Sequence, residues 1–520
     1  MFRTNVQNTS LRGRVAVPAR ADVAVVGGGL AGMATALRLQ AAGLSTVVIE
    51  AHGHAGGCAG YWRHKGFSFD VGATTLVDFA PGGVGAEFLD SVGAPPPEGE
   101  HLPGYVAWLP DRAVTLHRDP TRWQAERLAA FGETPGHRAF WRELDTLADV
   151  FWRASRAGIR MPLRRPSDVV HNLRAVGLRH APLARHLTGT LGGALHRHGL
   201  GRDTALRAVL GMLIEDTVHS SVQRAPLINA ALGITIRGAG LTRHEGGMHG
   251  FWRTVVGHYR ALGGQLRTGT IARTVTGRPG AYTVMTNRGV TTAAQVVLAV
   301  PAQVTATVCG GLPVARRLVS YLDRDRDGLG GAIVVFLGVP DEEVACHAFT
   351  HHQLLQDYAQ PFGDGNNMFV SVSAAGDTLS APPGHRAVMI STHTSLSAWS
   401  AHDSNRYAQR KKEIGEHLVA LARRVYPRLG ERAAVFDVGT PQAYERFAFR
   451  PGGAVGGPRQ TLRNSNQFAV PHDLGGPGLW LVGDSTWPGL GTVACVLGSR
   501  IVADGILRER RRTRPEGAPR

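Results

Sequence analysis

Residues 22 to 26 read Asp22-Val-Ala-Val-Val26, a short apolar run without alternation that ends on glycines. That is the pattern of a strand buried on both faces of a parallel sheet. A helix is expected next. Gly27, Gly29 and Gly32 complete a GxGxxG pattern around Leu30 and Ala31, Ala36 lies one turn on, and Gly43 closes the helix before a second apolar strand, Ser45 to Glu50. Together they predict one βαβ unit. The stretch from 95 to 225 changes character, with few strand patterns, many helical ones and a basic surface. From Gly246 to Pro301 the pattern returns to helix, turn and short β-rich segments, ending on the apolar run Gln295 to Val300. A mixed stretch from 311 to 440 contains Ala332 to Leu337 and Asn367 to Ser373, both strand-like. Leu479 to Val482 is the last apolar strand, leading into Gly483, Asp484 and a final helix from Gly491 to Leu507. The first twenty residues and the charged run from Arg508 to Arg520 are expected to be disordered.

Length changes this picture only by requiring more than one unit, since 520 residues exceed a single compact core. Hydrophobic residues make up 43%, as in an ordinary soluble chain. No run reaches the roughly 18 apolar residues of a spanning helix. Arg3, Arg12, Arg14 and Arg20 precede the first strand without the apolar stretch of a secretory signal. Cys58, Cys309, Cys346 and Cys495 are scattered and form no CxxC pair, so neither a disulfide framework nor a zinc site is expected, and a reducing cytoplasm is the default. The histidine clusters at His196 to His198 and at His351 and His352 lack HExxH spacing; they are expected to be solvated surface, with no metal bound.

Net charge is +17 and nearly all arginine, because Lys65, Lys411 and Lys412 are the only lysines. A genome rich in G and C gives the same bias without selection for binding, so position matters more than total. Between Arg153 and Arg202, arginine and histidine alternate with Leu, Val, Ile and Trp in helical segments. Such a profile fits a helical face resting on a membrane interface, or a plain solvated face. Nucleic acid is not expected as a partner, because no binding module accompanies the charge.

The glycine pattern carries the first chemistry. Its first glycine allows a tight turn, its second lets the backbone approach a pyrophosphate, and its third lets the helix pack on the strand. Phosphate then sits at the helix N-terminus. Glu50, at the end of the second strand of the same unit, is placed to accept the hydroxyls of an adenosine ribose.

Gly56 and Gly57 follow, and then the run Gly66-Phe-Ser-Phe-Asp-Val-Gly72. Here the sequence resembles the phytoene-desaturase-like branch of the FAD-dependent amine-oxidase superfamily, with a paired glycine under the cofactor and a GFxFDxG segment after it. The run Leu481-Val-Gly-Asp-Ser-Thr-Trp-Pro-Gly-Leu-Gly491 is similar to that family's second flavin motif. Further similarity lies in Glu245-Gly-Gly-Met-His249 and in the segment from Gly439 to Gly457. The resemblance implies an α/β architecture: a Rossmann-type FAD-binding domain, discontinuous in sequence (21–94, 225–310 and 441–507), and a mixed α+β substrate domain (95–224 and 311–440) with a helical membrane-facing part. It implies non-covalent FAD held by Gly27, Gly29, Leu30, Ala31, Gly32, Glu50, Gly56, Gly57, Cys58, Ala272, Gly483, Asp484, Trp487, Pro488, Gly489 and Thr492. Cys58 and Trp487 depart from the family pattern, where many relatives have arginine or another polar residue at the first position and histidine at the second. Ala494 and Val496 do not match the flanks of a covalent attachment site at Cys495.

No second GxGxxG follows a strand, so the organic substrate, and not a nicotinamide, is expected to reduce the flavin, with oxygen or a membrane quinone as acceptor. The resemblance implies a long apolar polyene as substrate, and therefore a peripheral location at the cytoplasmic face of the membrane. The segments Asn367 to Ser373 and Pro382 to Ala387 are similar to desaturases acting at the 3,4 bond of acyclic carotenoids. Phytoene desaturases, carotenoid isomerases and retinol saturases share the same cofactor motifs and remain open alternatives. A flavin-free prenyl-lipid carrier of the same fold is a further one, against which the intact Gly27, Gly29, Gly32, Glu50 and Asp484 speak. The sequence defines no acid–base constellation, so no catalytic residue is assigned.

Overall fold

The computed structural model describes residues 16–400 and 404–513; the expectation of disorder for 1–15 and 514–520 lies outside them. The strand Arg20–Val26 sits inside a seven-stranded sheet, flanked in parallel by Thr46–Ile49 and by Gly289–Leu298. Gln265–Arg267 continues one side, Leu479–Leu481 adds to the other, and the antiparallel strands Ala272–Arg278 and Ala281–Thr286 complete it. The missing alternation in the first strand has a direct cause, since successive side chains point to opposite faces and both faces are covered. Val23 and Val25 pack with Met33 and Leu37 of the helix Leu30–Ala41, while Ala24 and Val26 pack with Val314 and Leu318 of the helix Pro313–Asp325. The last helix, Thr492–Thr513, lies against Leu30–Ala41, where the Arg38 Nε–H donates to Ser499 Oγ at 3.3 Å.

A second seven-stranded sheet runs in the order Val435–Gly439, Gly331–Pro340, His385–Thr394, Asn367–Val372, His351–Leu355, Gly104–Trp108, Ala113–His117. All its pairings are antiparallel except that of His351–Leu355 with Gly104–Trp108. Period-two alternation divides its faces. Ile333, Val335 and Leu337 pack with Leu418 and Ala422 of the helix Ser404–Ala422, whereas Val334 and Phe336 turn toward a large cavity between this sheet and the first. Helices close that cavity on a third side. In Pro135–Arg156, Phe140, Leu144 and Leu147 recur at helical spacing and pack with Leu213 and Ile228 of the helices Thr204–Val218 and Leu227–Ile234.

Five expectations need correction. The stretch expected to be helical from 95 opens on strands, two of which, Gly104–Trp108 and Ala113–His117, complete a sheet otherwise drawn from 331–439. Residues 227–239, placed with the dinucleotide domain, belong to the helical layer, because Ile228, Ala231 and Ile234 find their apolar partners there. The final helix continues past Arg508 to Thr513, with Arg510, Arg511 and Arg512 in its last turn, where cations complement the helix dipole. Arg20, at the other end, already belongs to a strand, because its backbone pairs with Thr292 of the neighbouring one.

His351 and His352 are the clearest reversal. Both are fully buried in an interior strand and not solvated. His351 stacks on Tyr105, and His352 bonds to the Phe349 carbonyl through Nε2 while its Nδ1 faces the Trp108 indole N–H at 3.2 Å. His198, from the other cluster, pairs with Glu143.

Candidate active site

One cavity of about 1880 Å³ runs from the end of the first sheet to the inner face of the second. Gly27, Gly29, Leu30, Ala31, Glu50, Gly56, Gly57, Cys58, Ala272, Gly483, Asp484, Trp487, Pro488 and Thr492 all line it, so the set expected to hold the cofactor shares its wall, with two exceptions. Those two, Gly32 and Gly489, stand behind the wall. A Cβ on Gly32 would lie 2.1 Å from the Gly27 carbonyl oxygen, and one on Gly489 would lie 2.2 Å from Gln460 Nε2. Their role is close packing. Gly27 has φ +106 and carries the chain across Ala299 so closely that a Cβ would meet its carbonyl at 2.4 Å. Gly29 is different: its nearest neighbour in that direction is Gly57 Cα at 3.9 Å, which leaves its face open to the cavity.

Glu50 is buried beside this loop. Its Oε2 accepts from the Gly28 N–H at 2.6 Å and its Oε1 from the His52 N–H at 2.7 Å. Burial pushes its carboxyl above the usual range, against the pull of these backbone donors. The remaining lone pairs of a fixed carboxylate suit vicinal ribose hydroxyls. Thr270, whose N–H donates to the Glu50 carbonyl at 2.8 Å, brings Ala272 to the same end. The open glycine faces, the helix N-terminus and the fixed acid therefore fit a dinucleotide.

Asp484 marks the other end. Its Oδ2 lies 2.8 Å from an Arg450 guanidinium nitrogen. Burial works to lower that guanidinium, but Asp484 and Cys58 together outweigh it and hold the group above its ordinary range. Arg450 was not read from the sequence as a site residue, although it falls in the segment from Gly439 to Gly457 that carried part of the resemblance. Two neighbouring glycines then tie Asp484 to the deep part of the cavity. A Cβ on Gly457 would meet the Asp484 carbonyl oxygen at 2.3 Å, and one on Gly456 would meet the His219 ring at 2.1 Å. Burial pushes the Cys58 thiol up, and the Cys495 thiol is pushed up to about 12, also by burial.

Beyond His219 the wall is apolar, with Leu213, Ile228, Leu232 and Ile236 from the helices and Phe336 and Phe369 from the second sheet. Polar groups interrupt it, Asn229 with Gln460 and Asn466 at one place and Asp216 with His393 at another. Asp216 and His393 line the cavity, and the Asp216 carboxylate accepts from Gln353 Nε2 at 2.6 Å. The cavity continues outward past Leu163 and then past Leu173, Val176 and Leu187 on the segments Pro166–Val176 and Leu178–Thr188. Val169, Val170, Leu173, Leu178 and Leu187 are exposed there, Leu178 at 75%. Arg174, Arg179 and Arg185 share these segments, and Arg164 and Arg165 precede them. Among the described residues no helix is long and apolar enough to cross a membrane.

Comparison with known proteins agrees with this geometry. A family described as flavin containing amine oxidoreductase matches residues 119–507, and one described as an NAD(P)-binding Rossmann-like domain matches residues 25–92. The chain is 23% identical over 515 residues to prolycopene isomerase 1, chloroplastic, of an Oncidium hybrid cultivar, covering 93% of this chain and 83% of that one. It is 48% identical over 54 residues to the lycopene-forming phytoene desaturase of Pseudescherichia vulneris, 10% of this chain and 11% of that one. An oxidoreductase structure from Methanosarcina mazei superposes with a TM-score of 0.60 at 18% identity, over 93% of this chain and 99% of that one, a likeness of fold.

Proposed function

The chain belongs to the flavin containing amine oxidoreductase family, and from that premise we propose that it is a carotenoid desaturase using non-covalent FAD to form a C=C bond in an acyclic carotenoid. The observation that carries the reading is the cavity. At about 1880 Å³ it is larger than the roughly 300–1,000 Å³ of an ordinary ligand pocket, which leaves room for a long second ligand beside a dinucleotide. Its outer half is walled by aliphatic and aromatic side chains, as a polyene requires.

Gly27, Gly29, Leu30 and Ala31 would hold the pyrophosphate, Glu50 the ribose, and Cys58, Asp484, Trp487, Pro488 and Thr492 the flavin half. FAD, when bound, supplies a two-electron acceptor for hydride. A Cys495 thiol pushed up to about 12 is a poor nucleophile, which supports the non-covalent reading. The chain's own part is to bind, align and dry the polyene. Val334, Phe336 and Phe369 offer a flat apolar wall on one side, and Leu213, Ile228 and Leu232 oppose it. The exposed leucines and valines of 166–188, among arginines, support a face that rests on anionic lipid and receives the polyene from it. On this reading the protein works at the cytoplasmic face of the membrane, with oxygen or a membrane quinone as final acceptor. The 3,4 bond is the proposed site of desaturation, on the resemblance of Asn367 to Ser373 and Pro382 to Ala387.

A second reading has its own support. Likeness along almost the whole chain is to a prolycopene isomerase, whereas the likeness to a phytoene desaturase covers 54 residues. Expression in a host that makes lycopene or a hydroxylated acyclic carotenoid separates the two by product mass. Loss of two hydrogens is the expected result. A product of unchanged mass and altered geometry would replace desaturation by isomerisation.

A further inference from the structure

A desaturation releases one proton for each hydride, and it does so inside a dry apolar cavity, so the wall must carry a proton acceptor. Most polar groups near the flavin end are otherwise committed. Asp484 is paired with Arg450, the Cys58 and Cys495 thiols are held protonated by burial, and Tyr444 donates its hydroxyl to the Val71 carbonyl. His219, Asp216 and His393 remain, the first two at the end of one helix and the third on a strand of the second sheet. The His219 ring fills the space above Gly456, the residue before the Gly457 that packs against the Asp484 carbonyl oxygen, and meets the His393 ring edge-on at 5.0 Å. His393 Nδ1 lies 4.0 Å from Asp216 Oδ1 and 3.9 Å from Glu215 Oε1. Gln353 holds Asp216 at 2.6 Å and Asn367 holds Glu215 at 2.8 Å.

Resting on the desaturase reading, we propose that His393 and Asp216 are the proton-accepting pair of this cavity. As hydride leaves one carbon of the polyene for the flavin, the C–H bond of the neighbouring carbon breaks heterolytically. Its electron pair closes the new C=C bond, and its proton passes to the pair. The polyene is oxidised by two electrons and the flavin is reduced by two. A proton delivered to His393 meets two carboxylate oxygens within 4.0 Å of its Nδ1. Gln353 donates to Asp216, Glu215 lies beside His393 and Asn367 donates to Glu215, so these three act as positioning residues. Arg237, Tyr105, His219, Arg450 and Arg459 supply the other charged or titratable neighbours. Burial is the chief cause that raises Asp216 to about 6, within reach of a working pH, while burial and His393 push His219 well below its ordinary value and keep it neutral.

The test is anaerobic single-turnover reduction of the flavin in the holoenzyme by a bound acyclic polyene. Wild-type rates are expected to rise with pH through about 6, where Asp216 loses its proton. Asp216→Asn is expected to lower the rate about 100-fold, the low end of what general-base removal produces, and His393→Gln less, about 10-fold, because Asp216 remains to accept the proton; Asp216→Asn should also abolish the pH limb. Polyene affinity, read from the shift of the polyene absorption band, should stay within about threefold in both, and Asp216→Glu should restore part of the rate. A readout free of turnover accompanies it: an infrared carboxylic C=O band titrating near pH 6 in the wild type and missing from Asp216→Asn. Wild-type reduction rates in both variants would overturn the pairing alone, as would weakened polyene binding with unchanged reduction, which would make these residues a recognition site. A wild-type protein that binds polyene without flavin reduction would count against the desaturase reading and this one together.

Discussion

Gly29→Ala and Gly32→Ala, close neighbours in one loop, are expected to fail in different ways. Gly29 has φ −70 and ψ 176, a conformation any residue adopts, and an added Cβ meets nothing nearer than Gly57 Cα at 3.9 Å. The apoprotein should therefore keep its stability to within about 0.5 kcal/mol. The methyl group points into the cavity, however, where a phosphate must reach the backbone. Losing one hydrogen bond to a charged group costs about 1.5–3 kcal/mol, or roughly 10- to 100-fold in flavin affinity. Gly32 is the opposite case. Its Cβ would stand 2.1 Å from the Gly27 oxygen and 2.8 Å from Ala299 Cβ, so the helix must move off the strand. Overpacking of this kind costs about 1–3 kcal/mol and reaches beyond the roughly 1 kcal/mol that alanine gains over glycine in a helix. Thermal melts of the deflavinated proteins and titration with FAD separate the two effects. A Gly29→Ala protein whose apo midpoint drops as far as that of Gly32→Ala, or one that binds flavin like the wild type, would refute this distinction.

Arg450→Met leaves the Asp484 carboxylate without its partner in a site only 12% and 17% exposed at the two side chains. Breaking a buried pair costs about 3–5 kcal/mol, and the partial opening argues for the low end, so flavin affinity should fall roughly 100-fold. Adding Asp484→Asn should recover part of that loss, whereas independent, multiplying losses would show that the two side chains are not coupled. Burial is the main reason that His352 is lowered to about 3 in the folded chain, against an unfolded value near 6.5. Between those values the unfolded state binds a proton that the folded state refuses, so stability rises with pH there and is lost, by up to about 1.4 kcal/mol per unit, as pH falls below 6.5. His352→Gln should flatten that slope in melts taken between pH 4 and 6.5, and an unchanged slope would remove His352 from the account. Leu173→Ser with Leu178→Ser should abolish flotation with anionic liposomes at low salt; flotation equal to the wild type would detach membrane binding from this face.

Several features were legible in the sequence because their signals are local. The glycine loop, Glu50 and the run at Asp484 each specify a backbone shape or a charge within a short segment, and the fold brings them to one cavity wall. Arg450 was harder to see because its partner, Asp484, lies well beyond it in the chain and nothing in the intervening pattern links them. His351 and His352 misled because neighbouring histidines read as polar surface. Their burial follows from pairing with Gly104–Trp108, a strand from a much earlier part of the chain, which turns an apparent edge into the interior of a sheet. The same long-range pairing explains why strands appeared where helix was expected after residue 95.

By itself the sequence determined the dinucleotide-fold half of this protein, because a tight turn, a free helix N-terminus and a fixed acid are specified by residues close together in the chain. Only the tertiary structure decided the reacting half. Asp216 and His219 are neighbours at the end of one helix, but His393 comes from a strand of the second sheet, and no spacing along the chain encodes its meeting with them. They come together because two sheets and a helical layer close around one cavity, and burial there, more than residue type, sets what each group can do with a proton.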